Sequence, residues 1–124
     1  MKPQLLIASP VSGSGKTTFT LGLLRILQQR GLRTQTFKCG TDCIDTQYHS
    51  IAAGYDSVNL DAWLASDSHI QSVYNKYAEK ADVCITEGSM GLFDGYNRMQ
   101  GRNAHIARLL KLSVILVVNA RATA

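Results

Sequence analysis

Apolar residues along this chain fall into short unbroken runs separated by stretches with helical spacing. Leu5-Leu6-Ile7-Ala8 is continuous, bounded by Pro3 and a Gly/Ser-rich stretch, which is the pattern of a buried strand. From Phe19 to Gln29 the apolar positions Leu21, Leu24, Ile26 and Leu27 predict a helix. Gly31 stops it, and Arg30 suits the negative end of its dipole. Arg33 to Lys38 alternates as a second strand. Gly40 to Gly54 reads as a loop followed by a short helix over Thr46 to Ala53. A further short helix is expected around Leu60 to Leu64, and a longer one from Ser68 to Lys80. Asp82 to Glu87 is a third strand, Gly88 to Gly101 a glycine-rich loop, and Asn103 to Lys111 a helix carrying Ile106, Leu109 and Leu110. Ser113 to Val118, a continuous β-branched run, is the most strand-like segment present. Apolar strands alternating with helices predict an α/β fold with a mostly parallel sheet, helices on both faces and right-handed crossovers. At 124 residues the chain makes one domain.

Ligands of such sheets bind beyond the carboxyl ends of the strands. Beyond the first strand stands Ser9-Pro10-Val11-Ser12-Gly13-Ser14-Gly15-Lys16-Thr17-Thr18, which leads into the first helix. Strand, small-residue loop, Gly-Lys-Thr and helix together make a P-loop, and the fold is the three-layer P-loop NTPase type. Backbone N–H groups from Ser12, Gly13, Ser14 and Gly15 through Thr18 would close around phosphate oxygens, aided by the positive end of the helix. Lys16 is placed for the β- and γ-phosphates of ATP, and the Thr17 hydroxyl for Mg²⁺. Pro10 departs from the pattern, standing where the usual spacing has a first glycine.

Asp42, Asp45, Glu87 and Asp94 fall on loops at the same sheet edge, and a Mg²⁺–nucleotide site needs hard oxygen ligands there. Glu87 ends an apolar strand before Gly88, the position of a Walker-B-like carboxylate. Asp42, Asp45 and Asp94 stand equally well as turn formers. Lys38 is either a second phosphate lysine or a solvated strand end. With Asn119, these strand-end groups should converge on one crevice. His49 lies near the acidic loop and is a candidate for touching substrate, whereas His69 reads as surface and His105 as structural.

The net charge of +4 suits a protein that handles polyanions, but no dense Lys/Arg run marks a nucleic-acid patch. No apolar run approaches the length of a membrane helix. Cys39, Cys43 and Cys84 make no metal spacing; their odd number, with no signal peptide in view, argues for a reducing, cytoplasmic setting. Cys84 reads as a buried hydrophobe, while Cys39 and Cys43 flank a Gly/Asp loop where exposure is expected.

Four stretches together resemble the cobyrinic acid a,c-diamide synthase family, the N-terminal synthetase domain with a dethiobiotin-synthetase-like P-loop fold. They are Ser12 to Thr18 with Thr20 to Arg25; Phe37-Lys38-Cys39-Gly40-Thr41-Asp42-Cys43-Ile44-Asp45 with Tyr48-His49; Ser57 to Asp61 with Trp63; and Glu87-Gly88-Ser89-Met90-Gly91-Leu92-Phe93-Asp94-Gly95. The last is the most specific. Thr41 and Cys43 replace the family's usual proline and aromatic residue.

The resemblance implies ATP-dependent amidation of the a and c carboxylates of cobyrinic or hydrogenobyrinic acid in cobalamin synthesis, through an acyl phosphate. The implied partners are a corrinoid or related tetrapyrrole polycarboxylate and glutamine-derived ammonia, with no nucleic acid and no membrane; a homodimer is compatible with it. Lys16, Lys38, Asp42, Asp45, Glu87 and Asp94 would be catalytic, and Thr17, Asp45 and Glu87 the Mg²⁺ neighbours. Residues 1–124 would then be the N-terminal part of the amidoligase domain, without the C-terminal glutamine amidotransferase domain. Nickel-sirohydrochlorin diamide synthases share these motifs. Cobyric acid synthases differ at the Asp42/Asp45 loop, and dethiobiotin synthetases lack the Glu87–Gly95 string. Switch ATPases of the partitioning type carry an extra P-loop lysine where this chain has Val11.

Overall fold

The computed structural model describes residues 2–10, 15–40, 43–61, 65–89 and 97–119, with the backbone alone at 43–45 and 97–102. Its strands are β1 (Gln4–Ala8), β2 (Thr34–Cys39), β3 (Val58–Leu60), β4 (Val83–Glu87) and β5 (Ser113–Leu116). They form one sheet in the order β3-β2-β4-β1-β5, every neighbouring pair parallel. The helices are α1 (Lys16–Gln29), α2 (Cys43–Ala53), α3 (Asp67–Ala78) and α4 (Asn97–Leu109).

Side chains alternate across a strand, so each strand feeds two cores. Ile7, Val83 and Ile85 face Leu24 of α1 and Ala53 of α2. Leu6, Phe37, Cys39 and Cys84 face Ile70 and Tyr74 of α3 and Ile106 of α4. The Phe37 and Tyr74 rings stack there with centroids 4.5 Å apart, a contact worth about 0.5–1.5 kcal/mol beyond its buried area. Gly31, at φ 77°, closes α1: its N–H reaches the Gln28 carbonyl, and the Leu32 N–H the Leu27 carbonyl. A glycine is required there because the chain turns through the left-handed region.

Four elements differ from expectation. α2 starts at Cys43 rather than Thr46, so Asp45, expected on a loop, lies on a helix. The segment around Leu60 to Leu64 was expected as a helix, but Val58-Asn59-Leu60 is β3, paired with Phe37, Lys38 and Cys39; residues 62–64 lie outside the described residues. Three residues carry too little period to announce a strand, and pairing with β2 decides. The helix expected from Asn103 starts at Asn97, because its polar first turns and Gly101 hide the apolar spacing. β5 was expected to be covered on both faces. Ile115 and Val117 do pack on the α1 side. Val114 and Leu116 are about half exposed, because no helix among the described residues lies over them at this sheet edge. Among the described residues no helix is long and apolar enough to cross a membrane.

Candidate functional site

Parity places the chemistry. Val83 and Ile85 point toward α1 and α2, so Glu87 does too; Phe37 and Cys39 point toward α3 and α4, so Lys38 between them points back. The register sets Lys38 and Ile7 beside Glu87 on its two sides. Two opposite charges therefore meet at the carboxyl edge of the sheet, beneath the start of α1. Lys38 Nζ lies 2.5 Å from Glu87 Oε2, with side-chain exposures of 5% and 0%. The same ammonium donates to the Gly88 carbonyl at 3.2 Å. The Thr17 hydroxyl donates to Glu87 Oε2 at 3.3 Å, and His49 Nε2, reaching from α2, lies 3.2 Å from Oε1. His49 is fully buried.

A carboxylate taken out of water stays ionised only if its neighbours replace the lost solvation. Burial pushes the Glu87 carboxyl up. The hydrogen bond from His49, together with the charge and hydrogen bond of Lys38, outweighs burial and holds it at about 2. Glu87 is therefore an anion at neutral pH. An ionised carboxylate only accepts, so the His49 Nε2 facing it carries the hydrogen.

α1 begins in an unusual way. Its cap is Gly15 at φ 85°, which has no side chain to cap it with, and its first turn has no acidic residue. α3 shows the ordinary solution: Ser66 caps it by accepting from the His69 N–H, and Asp67 faces its positive end. Lys16 and Thr17 open α1 half-buried, with Thr18 exposed. A helix start with no side-chain cap, carrying a lysine at its positive end, is arranged to receive an anion. Thr17 Oγ1 and Glu87 Oε2, both hard oxygens, also suit Mg²⁺. Octahedral ligands at about 2.1 Å put adjacent oxygens about 3 Å apart, close to the 3.3 Å found here.

Of the residues expected at the site, Lys38, Glu87 and Thr17 are brought into direct contact, and Lys16 adjoins Thr17. Lys38 is buried, not a solvated strand end. Asp45 lies on α2 with only its backbone described. Ser12, Gly13, Ser14, Asp42 and Asp94 lie outside the described residues. Asn119 is exposed past β5. Cys39, expected exposed, is buried on the α3 side, and burial pushes its thiol up to about 12 against the pull of Lys38 and Lys16. His105 pairs with Asp67 Oδ1 at 2.7 Å near the surface.

Sequence reasoning passed over Asn103. Fully buried on α4, it donates to the Ser89 carbonyl at 2.7 Å and accepts from the Ser89 N–H at 3.3 Å. This amide holds the chain directly after Glu87, and Gly88 leaves it room: a Cβ there would lie 3.3 Å from Asn103 Nδ2. Its signal was an asparagine three residues before Ile106 and seven before Leu110, on the inward stripe.

The model of the CobQ/CobB/MinD/ParA nucleotide-binding domain family matches residues 5–123. Cobyrinate a,c-diamide synthase of Listeria monocytogenes serotype 4b is 46% identical over 122 residues, 96% of this chain and 27% of that protein. Hydrogenobyrinate a,c-diamide synthase of Brucella ovis is 49% identical over 115 residues, 92% of this chain and 26% of that protein. The chain thus spans about a quarter of the length of these relatives. Among solved structures, the signal recognition particle receptor FtsY of Elizabethkingia anophelis in complex with GDP superposes with a TM-score of 0.65 at 21% identity, covering 94% of this chain and 40% of that one. The 54 kDa signal recognition particle protein of Aeropyrum pernix gives 0.62 at 20% identity, over 95% of this chain and 29% of that one. At these identities the two structures share the α/β P-loop fold.

Proposed function

The chain belongs to the CobQ/CobB/MinD/ParA nucleotide-binding domain family, and from that premise we propose that it is the ATP-binding part of a cobyrinate or hydrogenobyrinate a,c-diamide synthase. The observation that carries this reading is Glu87: buried, ionised, and joined through Thr17 to the Gly-Lys-Thr start of α1. The names of the relatives supply the substrate class, a corrinoid polycarboxylate whose a and c carboxylates become amides.

In this reading the backbone N–H groups of Ser12, Gly13, Ser14, Gly15 and Thr18 hold the phosphates, and Lys16 reaches the γ-phosphate. Thr17, Asp45 and Glu87 hold Mg²⁺. Bound with Mg²⁺, ATP would give its γ-phosphoryl group to the substrate carboxylate, leaving ADP and an acyl phosphate, from which glutamine-derived ammonia would displace phosphate to form the amide. Lys38 neutralises charge beside the γ-phosphate, while Asp42 and Asp94 orient substrate and metal. Positioning and charge stabilisation carry most of the acceleration.

The test uses the full-length protein, with ADP release and amide formation measured with and without cobyrinate or hydrogenobyrinate and glutamine. Turnover should require the macrocycle. Equal ATP hydrolysis in its absence refutes the ligase assignment, and amidation of nickel sirohydrochlorin instead reassigns the substrate. Glu87→Gln should abolish amide formation and leave the protein folded.

A further inference from the structure

His49 is a buried titratable group in contact with Glu87 that this reading leaves without a role. It sits on α2 with its ring fully enclosed. One nitrogen, Nε2, lies 3.2 Å from Glu87 Oε1. The other, Nδ1, is buried and has no hydrogen-bond partner among the described residues. A histidine kept for packing alone would be poorly chosen, since an orphaned buried acceptor costs about 1–3 kcal/mol and an apolar side chain of similar size avoids it. Enclosure also removes it from contact with a large substrate, which corrects the expectation that it touches one.

The division of labour at Glu87 is more telling. Lys38 and Thr17 both engage Oε2, and His49 engages Oε1. Oε2 is thereby aimed at the start of α1, and the His49 bond to Oε1 resists turning of the carboxylate plane away from that direction. A carboxylate that ligates a metal is ordinarily held this way, through its second oxygen, by a donor that does not itself touch the metal.

We infer that His49 is a positioning residue that fixes Glu87 through Oε1 and presents Oε2 to the Mg²⁺ of the bound nucleotide. The inference rests on the nucleotide-site reading above. His49 works as an N–H donor of set length and direction, so an amide at the same reach replaces it and a hydrocarbon does not.

The experiment measures Mg²⁺ half-saturation for binding a fluorescent ATP analogue, with kcat and KM alongside, in the full-length protein. His49→Leu should raise the Mg²⁺ half-saturation by about 10–100-fold, the usual consequence of removing such a partner, and lower kcat by a comparable factor with corrinoid KM little changed. His49→Gln, whose amide nitrogen reaches the place of Nε2, should restore both to within about threefold of wild type. On a Glu87→Gln background, His49→Leu should add nothing, because a residue acting through Glu87 has nothing left to position. The inference is overturned if His49→Leu binds with wild-type Mg²⁺ dependence, if His49→Gln is as impaired as His49→Leu, or if the two effects add fully. Should His49→Leu not fold, His49→Asn, whose amide stops short of Oε1, replaces it in the comparison with the same expectation. Absence of Mg²⁺-dependent nucleotide binding in the wild type refutes the nucleotide reading and this inference together, an outcome distinct from an unaffected His49→Leu.

Discussion

Replacing Glu87 with glutamine tests the electrostatics of the site without any ligand. The change keeps shape and removes one charge, leaving the Lys38 ammonium, 5% exposed, beside a neutral amide. Removing one partner of a buried pair costs about 3–5 kcal/mol, here toward the lower end because Lys38 keeps its bond to the Gly88 carbonyl. A second route gives a similar size. The Glu87 carboxyl falls from 4.5 to about 2 on folding, and at 1.36 kcal/mol per unit this favours the ionised folded state by about 3 kcal/mol. Because the folded-state value is the lower one, this stability is present above pH 4.5 and is lost as pH falls from there toward 2. Urea unfolding followed by circular dichroism, in buffer containing a chelator, should find Glu87→Gln less stable by about 3 kcal/mol at pH 7. The gap to wild type should narrow steadily below pH 4.5. A gap under about 1 kcal/mol at pH 7, the worth of an exposed pair, or one unchanged between pH 7 and 3, refutes the reasoning.

Other expectations follow from single contacts. Asn103→Leu removes all three hydrogen bonds to Ser89 and should cost about 1–3 kcal/mol, read as a fall of several degrees in the thermal midpoint, with Asn103→Asp intermediate because it keeps the acceptor. Gly40 turns the chain out of β2 at φ 95°, so Gly40→Ala should lower stability by about 1–2 kcal/mol in the same assay. Cys39 and Cys84 are buried with thiols pushed up by desolvation, Cys39 to about 12. Peptide mapping after brief iodoacetamide treatment at pH 8 should find both unmodified in the native protein and labelled in urea; rapid native labelling of either refutes their burial.

What could be read from the sequence was whatever had a period or a motif. Leu5 to Ala8 and Asp82 to Glu87 are legible as strands because buried parallel strands carry a continuous apolar run, Val83 to Ile85 in the second case, and Lys16 and Thr17 because the P-loop spacing names them. Lys38 stayed ambiguous, since a lysine at a strand end reads identically whether solvated or paired; only the β2–β4 register, Lys38 opposite Glu87, decides. His49 reads from the sequence only as a residue near the acidic loop, because nothing in a helical pattern says that α2 turns it toward the sheet. Asn103 was missed because its value lies in Ser89, fourteen residues earlier, which no local window contains. β3 was lost to its brevity.

The placement of the irregularities is itself an argument for function. A buried ion pair is weak evidence for stability, since well-packed apolar residues of the same volume often do better. A lysine at a helix N-terminus opposes the dipole, and a helix without a side-chain cap forgoes about 1 kcal/mol. An imidazole nitrogen with no hydrogen-bond partner among the described residues and a carboxylate at 0% exposure each add a local cost. Scattered over a fold of this size, such features would be unremarkable. Here Gly15, Lys16, Lys38, Gly40, His49 and Glu87 all gather where β1, β2 and β4 end and α1 begins. Left-handed backbone does not by itself mark this edge, since Gly31, Gly54 and Lys111 take positive φ at the other end of the sheet; the buried charges do, and at that other end Asp82 accepts from the Arg33 N–H at 2.7 Å at the surface. A fold that buries opposite charges at one edge is selected there for something other than folding, and that is the argument for reading the edge as an anion site.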